Sequence, residues 1–253
     1  MKAVILCGGR GTRMADSGYD AKALVDVGGR PILWHIMKGY AAFGVNEFVL
    51  TLGHGAAAVK RWFSEEERMG RDLTMGPNGA VTHHVPYAES EWTVTFVDTG
   101  LETNKGARLA RVLDHLGDDS YHVTYGDGLG DVDITALTAF HRAQGKLATL
   151  TGFMPWSQYG ILNTDGDLVT SLEEKPRLRE WINAGFMIFE PEVAKYLEGD
   201  DALDLEKKVL VELAHAGELA IYRHEGFWRS MDTFKEAQEM DQLWREGAPW
   251  KVW

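Results

Sequence analysis

Residues 2–13 read KAVILCGGRGTR, and this stretch decides the fold. Ala3 to Cys7 is an unbroken apolar run without polar alternation, so it reads as a strand covered on both faces, as parallel strands are. Gly8-Gly9 closes it with a turn. Runs of the same texture follow at EFVLTL (47–52), TVTFVDT (93–99), YHVTYG (121–126) and KLATLTGF (146–153). Helical patterns fill the intervals. Pro31 opens PILWHIMKGYAAFG (31–44), where Ile32, Ile36 and Tyr40 share one face and Gly44 supplies the stop. Ala56–Phe63, Gly106–Leu116 and Ile134–Arg142 repeat that pattern. Strand alternating with helix predicts an α/β fold: a mostly parallel or mixed, Rossmann-like sheet flanked by helices. Past residue 155 the β pieces shorten (160–164, 168–172, 183–189, 219–224), with helices near 191–198, 205–216 and 233–246. No linker or repeat separates this part, which reads as a small C-terminal β/α elaboration of one domain over 1–253.

The length of 253 residues suits one large domain, and 45% hydrophobic with 25% charged residues excludes a disordered, collagenous or coiled-coil chain. Lys+Arg 26 against Asp+Glu 38 gives a net charge of −12. Bulk attraction to nucleic acid is therefore disfavoured, and a phosphate ligand needs a local basic cluster. Cys7 is the single cysteine, so neither an internal disulfide nor a thiolate metal site is expected, and a cytoplasmic setting is the natural one. No apolar run approaches the ~18 residues of a membrane span, and no membrane partner is expected.

Four constellations can carry chemistry. Gly8-Gly9-Arg10-Gly11-Thr12-Arg13 follows the first strand, where open α/β sheets bind ligands and where glycines let backbone N–H groups approach an anion. It is neither a G-x-G-x-x-G nor a GK[ST] fingerprint. Lys22 lies in the polar stretch that follows. Tyr125-Gly126-Asp127-Gly128, then Asp131 and Asp133, ends the fourth run; Asp127 is the favoured metal ligand, and Asp131 or Asp133 is expected to cap the helix near Ile134. Glu173-Glu174-Lys175-Pro176 with Asn183-Ala184-Gly185, and Gly226-Phe227-Trp228 with Met231-Asp232-Thr233, complete the set. His83-His84 is expected to face two ways along a strand, Glu65-Glu66-Glu67 to be a solvated helix face, and Cys7, Met14 and the nine tryptophans to pack in the core or at interfaces.

The order of these motifs, with Gly28-Gly29-x-Pro31-Ile32-Leu33-Trp34-His35, Val97-Asp98-Thr99-Gly100 and the Trp250-Lys251-Val252-Trp253 tail, resembles the sugar-1-phosphate nucleotidyltransferases along essentially the whole chain, and within them the branch using CTP and glucose 1-phosphate. The resemblance implies a GT-A-like nucleotidyltransferase fold, with 1–155 as nucleotide-binding core and 156–253 carrying sugar-phosphate-binding and C-terminal oligomerisation elements. It implies Mg²⁺-dependent transfer of CMP from CTP to a sugar 1-phosphate and a homo-oligomer. Carried over by position, Leu6, Gly8, Gly9, Gly11, Thr12, Thr103, Arg108 and Gly126 would contact the nucleotide, while Arg13 and Lys22 would be catalytic and grip its phosphates. Asp127 and Asp232 would hold the metal; Lys175 would hold the sugar phosphate; Tyr125, Gly160, Glu174 and Asn183 would line the sugar site.

The chain departs from the family pattern at Asp20-Ala21-Lys22-Ala23, where prolines are absent, at Lys105-Gly106-Ala107-Arg108, at Gln158-Tyr159-Gly160, at Ala184, and at Arg177 and Arg179. These departures predict an acceptor other than, or additional to, glucose 1-phosphate. A thymidylyl- or uridylyltransferase, a cytidylyltransferase for another phosphorylated small molecule, and a silent nucleotide-binding module are the alternatives.

Overall fold

The computed structural model describes residues 1–9, 19–66, 72–83, 89 and 91–253. Gly11, Thr12, Arg13, Met14, His84 and Glu67, all singled out above, lie outside them. The first strand, β1 (Ala3–Leu6), is buried throughout, as its uninterrupted apolar run requires. It pairs in parallel on one side with β4 (Glu47–Leu52), which pairs with β7 (Thr93–Asp98), and on the other with β8 (Tyr121–Tyr125). Beyond β8 the sheet turns mixed. β14 (Met187–Phe189) runs antiparallel to both β8 and β10 (Ala148–Phe153), β13 (Ile182–Asn183) continues that line along β10, and β15 (Leu219–His224) closes the far edge parallel to β10. Eight strands among the described residues thus form one sheet drawn from both sides of residue 155, with two short antiparallel pairs, β2 (Asp26–Val27) with β3 (Arg30–Pro31) and β5 (Leu73–Met75) with β6 (Val81–His83), apart from it.

The expected strand 183–189 is interrupted. Gly185 and Phe186 take positive φ of 76° and 44°, and Ala184 and Gly185 together face Thr151, bonding its carbonyl and N–H at 2.9 and 3.2 Å; this bulge divides β13 from β14. The β pieces expected at 160–164 and 168–172 form β11 (Ile161–Asp165) and β12 (Leu168–Glu173), an antiparallel hairpin exposed along its whole length.

Successive β1 side chains feed two cores. Ala3 and Ile5 join Phe48 and Leu50 under α1 (Ile32–Ala41), α2 (Ala56–Arg61), α4 (Ile134–Gln144) and α6 (Phe234–Arg245); Val4 and Leu6 join Val49 and Val123 under α3 (Lys105–Ala110) and α5 (Leu210–His215). The pattern expected over 106–116 breaks at α3 into a 3₁₀ turn, Leu113–His115, and the helix expected near 191–198 is a 3₁₀ turn opened by Pro191.

Helix α1 is buried on nearly all sides because the C-terminal tryptophans cover the face turned from the sheet. Trp250 is fully buried, its indole N–H donating to His35 Nδ1 at 3.4 Å, while His35 Nε2 donates to the Val27 carbonyl at 2.7 Å. One neutral tautomer satisfies both bonds, and burial lowers the His35 pKa to about 4. Trp253 packs edge-on against Trp34. Trp250 and Trp253 of the tail therefore pack on their own chain, while Val252 is exposed; among the described residues a further group of exposed apolar side chains, Leu162, Leu168, Val169 and Leu172 among them, sits on the β11–β12 hairpin.

Candidate active site

A cavity of about 650 Å³ opens at the carboxyl ends of β1 and β8, the place where parallel sheets present ligands. Leu6, Gly8 and Gly9 line it from β1, and Tyr125, Gly126 and Asp127 from β8. Gly8 is there for closeness of packing: a Cβ would fall 2.3 Å from Arg108 Nη1 and 2.9 Å from the Leu52 carbonyl carbon. Gly126 likewise has no room, its Cβ position lying 2.9 Å from Cys7 Cβ. Burial pushes the Cys7 thiol up to about 12, so it is an inert floor residue.

Thr103 and Arg108 both reach the cavity wall, and both are committed to the scaffold. Arg108 Nη1 donates to the Leu52 and Gly100 carbonyls and the Thr99 hydroxyl at 3.1, 2.8 and 2.7 Å, and Nη2 donates to the Leu101 carbonyl at 3.3 Å. Thr103 Oγ1 accepts from Arg111 Nη1 at 2.7 Å. Arg108 thereby ties together the loops after β4 and β7 directly beneath the glycine turn.

The two aspartates meet through a short ribbon. After Asp127 the chain forms β9 (Gly128–Gly130), which pairs antiparallel with β16 (Trp228–Ser230), and the Met231 N–H donates to the Asp127 carbonyl at 2.8 Å. That register delivers Asp232 beside Asp127. Asp131 clamps the approach, accepting from the Phe227 N–H at 2.6 Å and facing His224 Nε2 at 3.0 Å. Asp133, not Asp131, caps α4, accepting from the Ala136 N–H at 2.8 Å. Thr233 caps α6 in a reciprocal box with Glu236, so the Asp232 carboxylate is not the cap and turns to Lys22. Lys22 Nζ stands 2.7 Å from Asp127 Oδ2 and 2.8 Å from Asp232 Oδ1. Burial alone would lower its pKa, yet the two carboxylates outweigh that and hold the ammonium above its ordinary value.

The acceptor residues divide. Tyr125 and Asn183 line the cavity and touch, Asn183 Nδ2 donating to the Tyr125 hydroxyl at 2.9 Å. Gly160, Glu174 and Lys175 do not line it; they sit together at the base of the hairpin, where a Cβ on Gly160 would lie 3.0 Å from Glu174 Oε2. Arg177, expected to add charge to the acceptor loop, donates through Nε to the Met154 carbonyl at 3.1 Å and lies over the Phe153 ring. One wall is named only in part by the motifs: Lys105 pairs there with Glu206, and Trp228 and Ser230 face it from β16. The buried Trp228 indole N–H has no partner among the described residues.

Among those residues no group of three or more His, Cys, Asp or Glu side chains converges, and no helix is long and apolar enough to cross a membrane. The cavity therefore offers a glycine-lined backbone, three cations (Lys22, Lys105, Arg108) and a converging carboxylate pair, an arrangement suited to a polyphosphate with a divalent cation.

The family model described as nucleotidyl transferase matches residues 2–243. The chain is 40% identical to a protein of Bacillus subtilis (strain 168) named "Probable glucose-1-phosphate cytidylyltransferase", with all of both chains covered. It is also 40% identical to the glucose-1-phosphate cytidylyltransferase of Salmonella typhi, again over the whole of both. In fold it is similar to a UDP-glucose pyrophosphorylase from Acinetobacter baumanii, with a TM-score of 0.71 at 16% identity, covering 97% of this chain and 94% of that one.

Proposed function

The chain belongs to the nucleotidyl transferase family, and from that premise we propose that it transfers CMP from CTP to α-D-glucose 1-phosphate, releasing pyrophosphate and forming CDP-glucose. One observation of the site carries the reading: Lys22, Asp127 and Asp232, from three distant parts of the chain, converge within 2.8 Å beside the glycine turn. A phosphate oxygen of the sugar phosphate attacks the α-phosphorus of CTP; the new O–P bond forms as the bond to the β-phosphate oxygen breaks, and pyrophosphate leaves with the electron pair. The nucleophile is already anionic near neutral pH, because the second pKa of a phosphate monoester is ~6, so no general base is needed. The barrier is repulsion between anions, and catalysis rests on in-line positioning and on cations.

Asp127 and Asp232 fit a divalent cation, Mg²⁺ in this reading: they already share one cationic partner, and as two carboxylates they would hold such an ion together with substrate phosphates. When bound, that ion neutralises charge developing on the transferring phosphoryl group. Lys22 and Arg13 grip the triphosphate, and Leu6, Gly8, Gly9, Gly11, Thr12, Thr103, Arg108 and Gly126 surround the nucleotide. Lys175 holds the sugar phosphate, with Tyr125, Gly160, Glu174 and Asn183 on the sugar. The chain acts as a homo-oligomer in this reading, supported by the exposed apolar side of the hairpin.

The departures noted in the sequence do not favour a different acceptor. Arg177 is spent on the Met154 carbonyl and the Phe153 ring, and the relatives matching end to end are named for glucose 1-phosphate. Pyrophosphate release with glucose 1-phosphate against CTP, UTP, dTTP, ATP and GTP tests the proposal. CTP preferred by at least about tenfold, with CDP-glucose as product, is expected; preference for another nucleotide, or nucleotide binding without turnover, overturns it.

A further inference from the structure

The part of that wall which the motifs did not announce is built by a segment far along the chain. Residues 200–209 dock onto the start of α3: the Asn104 N–H donates to the Asp201 carbonyl at 2.8 Å, the Ala107 N–H to the Leu203 carbonyl at 3.2 Å, and Arg111 pairs with Asp201. Gly106 is pressed against Leu203, whose carbonyl oxygen would meet a Cβ there at 2.8 Å. This docking carries the π-helical turn Leu205–Val209, and with it Glu206, to the cavity rim.

Glu206 is tied to Tyr125 there through Lys105. Lys105 pairs with the Glu206 carboxylate, and the same ammonium lies 4.9 Å above the Tyr125 ring. Burial, then the Glu206 charge, raise the Tyr125 pKa, so its hydroxyl stays protonated. The donor directions follow from what each group can do. A carboxamide nitrogen only donates, so the Tyr125 oxygen accepts from Asn183 Nδ2 at 2.9 Å. At the other end the Gly185 N–H, which only donates, fixes Asn183 Oδ1 at 2.9 Å. The relay Glu206–Lys105–Tyr125–Asn183 is thus held at both ends, and one Asn183 N–H remains for a ligand. Gly185 also leaves the ring no slack, since a Cβ there would come 3.0 Å from Tyr125 Cδ2.

We infer that Glu206 is a positioning residue for the acceptor: it holds Lys105 against the Tyr125 ring, and through Tyr125 it sets the Asn183 carboxamide for hydrogen bonding to a hydroxyl-bearing sugar phosphate. The inference rests on the function proposed above. It concerns the acceptor end alone, because the nucleotide end is built on Gly8, Arg108 and Lys22, none of which the relay includes.

The test is a double-mutant cycle on the full chain with Glu206→Gln, Tyr125→Phe and the pair, reading KM for glucose 1-phosphate, KM for CTP, kcat and the melting temperature. Each single change is expected to raise KM for glucose 1-phosphate about tenfold, the worth of one hydrogen bond, with KM for CTP within about twofold. The pair is expected to be no worse than the worse single, since both cut one relay. A melting temperature held in Glu206→Gln with the same split in KM separates positioning from scaffold. Unchanged KM values, a matching rise for CTP, or multiplying effects in the pair overturn the inference while leaving the function in place. A wild-type chain that makes no CDP-glucose overturns the function and the acceptor assignment with it.

Discussion

The floor of the cavity and the β11–β12 hairpin are built on opposite terms. At the floor, β1 and β8 are covered by a core on each face, Gly8 and Gly126 sit in van der Waals contact with their neighbours, and Lys22 joins two carboxylates brought in by separate turns. The hairpin stands on one ladder, with Leu168 74% and Leu172 62% exposed. It is tied down mainly at its base, where the Ser157 N–H donates to the Pro176 carbonyl and the Leu178 N–H to the Pro155 carbonyl, each at 2.8 Å. A lone two-stranded ribbon is marginally stable in water. The described nucleotide and metal residues of this reading are therefore fixed by the core, whereas Gly160, Glu174 and Lys175 depend on an arm the core does not set. In this reading the chemistry belongs to the floor and capture of the acceptor phosphate to the arm.

The largest effect belongs to the floor. Asp127→Asn or Asp232→Asn is expected to lower kcat by at least ~10², the order of one preorganised electrostatic contact, with the fold intact by circular dichroism. Near wild-type turnover of Asp127→Asn in excess EDTA would break the assignment of a metal to this pair.

The close packing of α1 under the C-terminal tryptophans has a cost in acid. His35 is buried and neutral, its pKa lowered from 6.5 to about 4, so below about pH 6.5 the unfolded chain takes up a proton that the native chain refuses. Stability is therefore lost as pH falls from about 6.5 through about 4, by on the order of 3 kcal/mol for this group. Burial lowers the His122 pKa in the same sense, with the N-terminal charge and His141 adding to it. Urea unfolding at pH 7.5 and pH 5 should show a clear drop for the wild type and a smaller one for His35→Asn; equal drops would refute the coupling.

Lys175→Ala tests the other half of the contrast. Loss of a charged hydrogen bond to phosphate should raise KM for glucose 1-phosphate about tenfold or more while leaving KM for CTP unchanged. The reverse pattern would move Lys175 to the nucleotide and dissolve the division between floor and arm.

Most of the floor was legible because it is local. The apolar runs at 47–52 and 219–224 match β4 and β15 residue for residue, and the glycine turn and Asp127 follow directly from strand ends. The helix-capping question around Asp131 and Asp133 was open in sequence, since either side chain can cap; geometry gives the cap to Asp133 and leaves Asp131 to clamp β16. What sequence could not supply were long-range pairings. Glu206 sits in an ordinary amphipathic stretch, and only the docking of 200–209 on α3 turns it into a cavity residue. Arg108 matches a nucleotide-contact position, yet no pattern foretells that its guanidinium also holds the Leu52, Gly100 and Leu101 carbonyls. The bulge at Ala184–Gly185 has no signal in the sequence beyond Gly185, since MIF is good strand sequence and nothing local marks Phe186 for its left-handed φ.

The smallest effect compares like with like across the two regions. Thr233 Oγ1 accepts from the Glu236 N–H at 3.2 Å at the start of α6, the helix whose first turn carries Asp232 to the site. Thr170 Oγ1 donates to the Asn163 carbonyl at 3.0 Å across the hairpin, in water. Each threonine to alanine change deletes one side-chain bond to backbone. In Thr233→Ala the Glu236 N–H loses its cap, although the Glu236 carboxylate still accepts from the Asp232 and Thr233 N–H groups at 2.7 and 2.8 Å, so the half-kept box should cost about 1 kcal/mol, or roughly 2–4 °C in Tm. In Thr170→Ala water replaces the lost partner, and the cost should stay within about 0.5 kcal/mol. Because the cap also aims Asp232, Thr233→Ala should lower kcat a few-fold while Thr170→Ala leaves it unchanged. Equal shifts in Tm and kcat for the two variants would mean that the hairpin is as firmly set as the floor, and that the acceptor residues owe their placement to the chain's own fold.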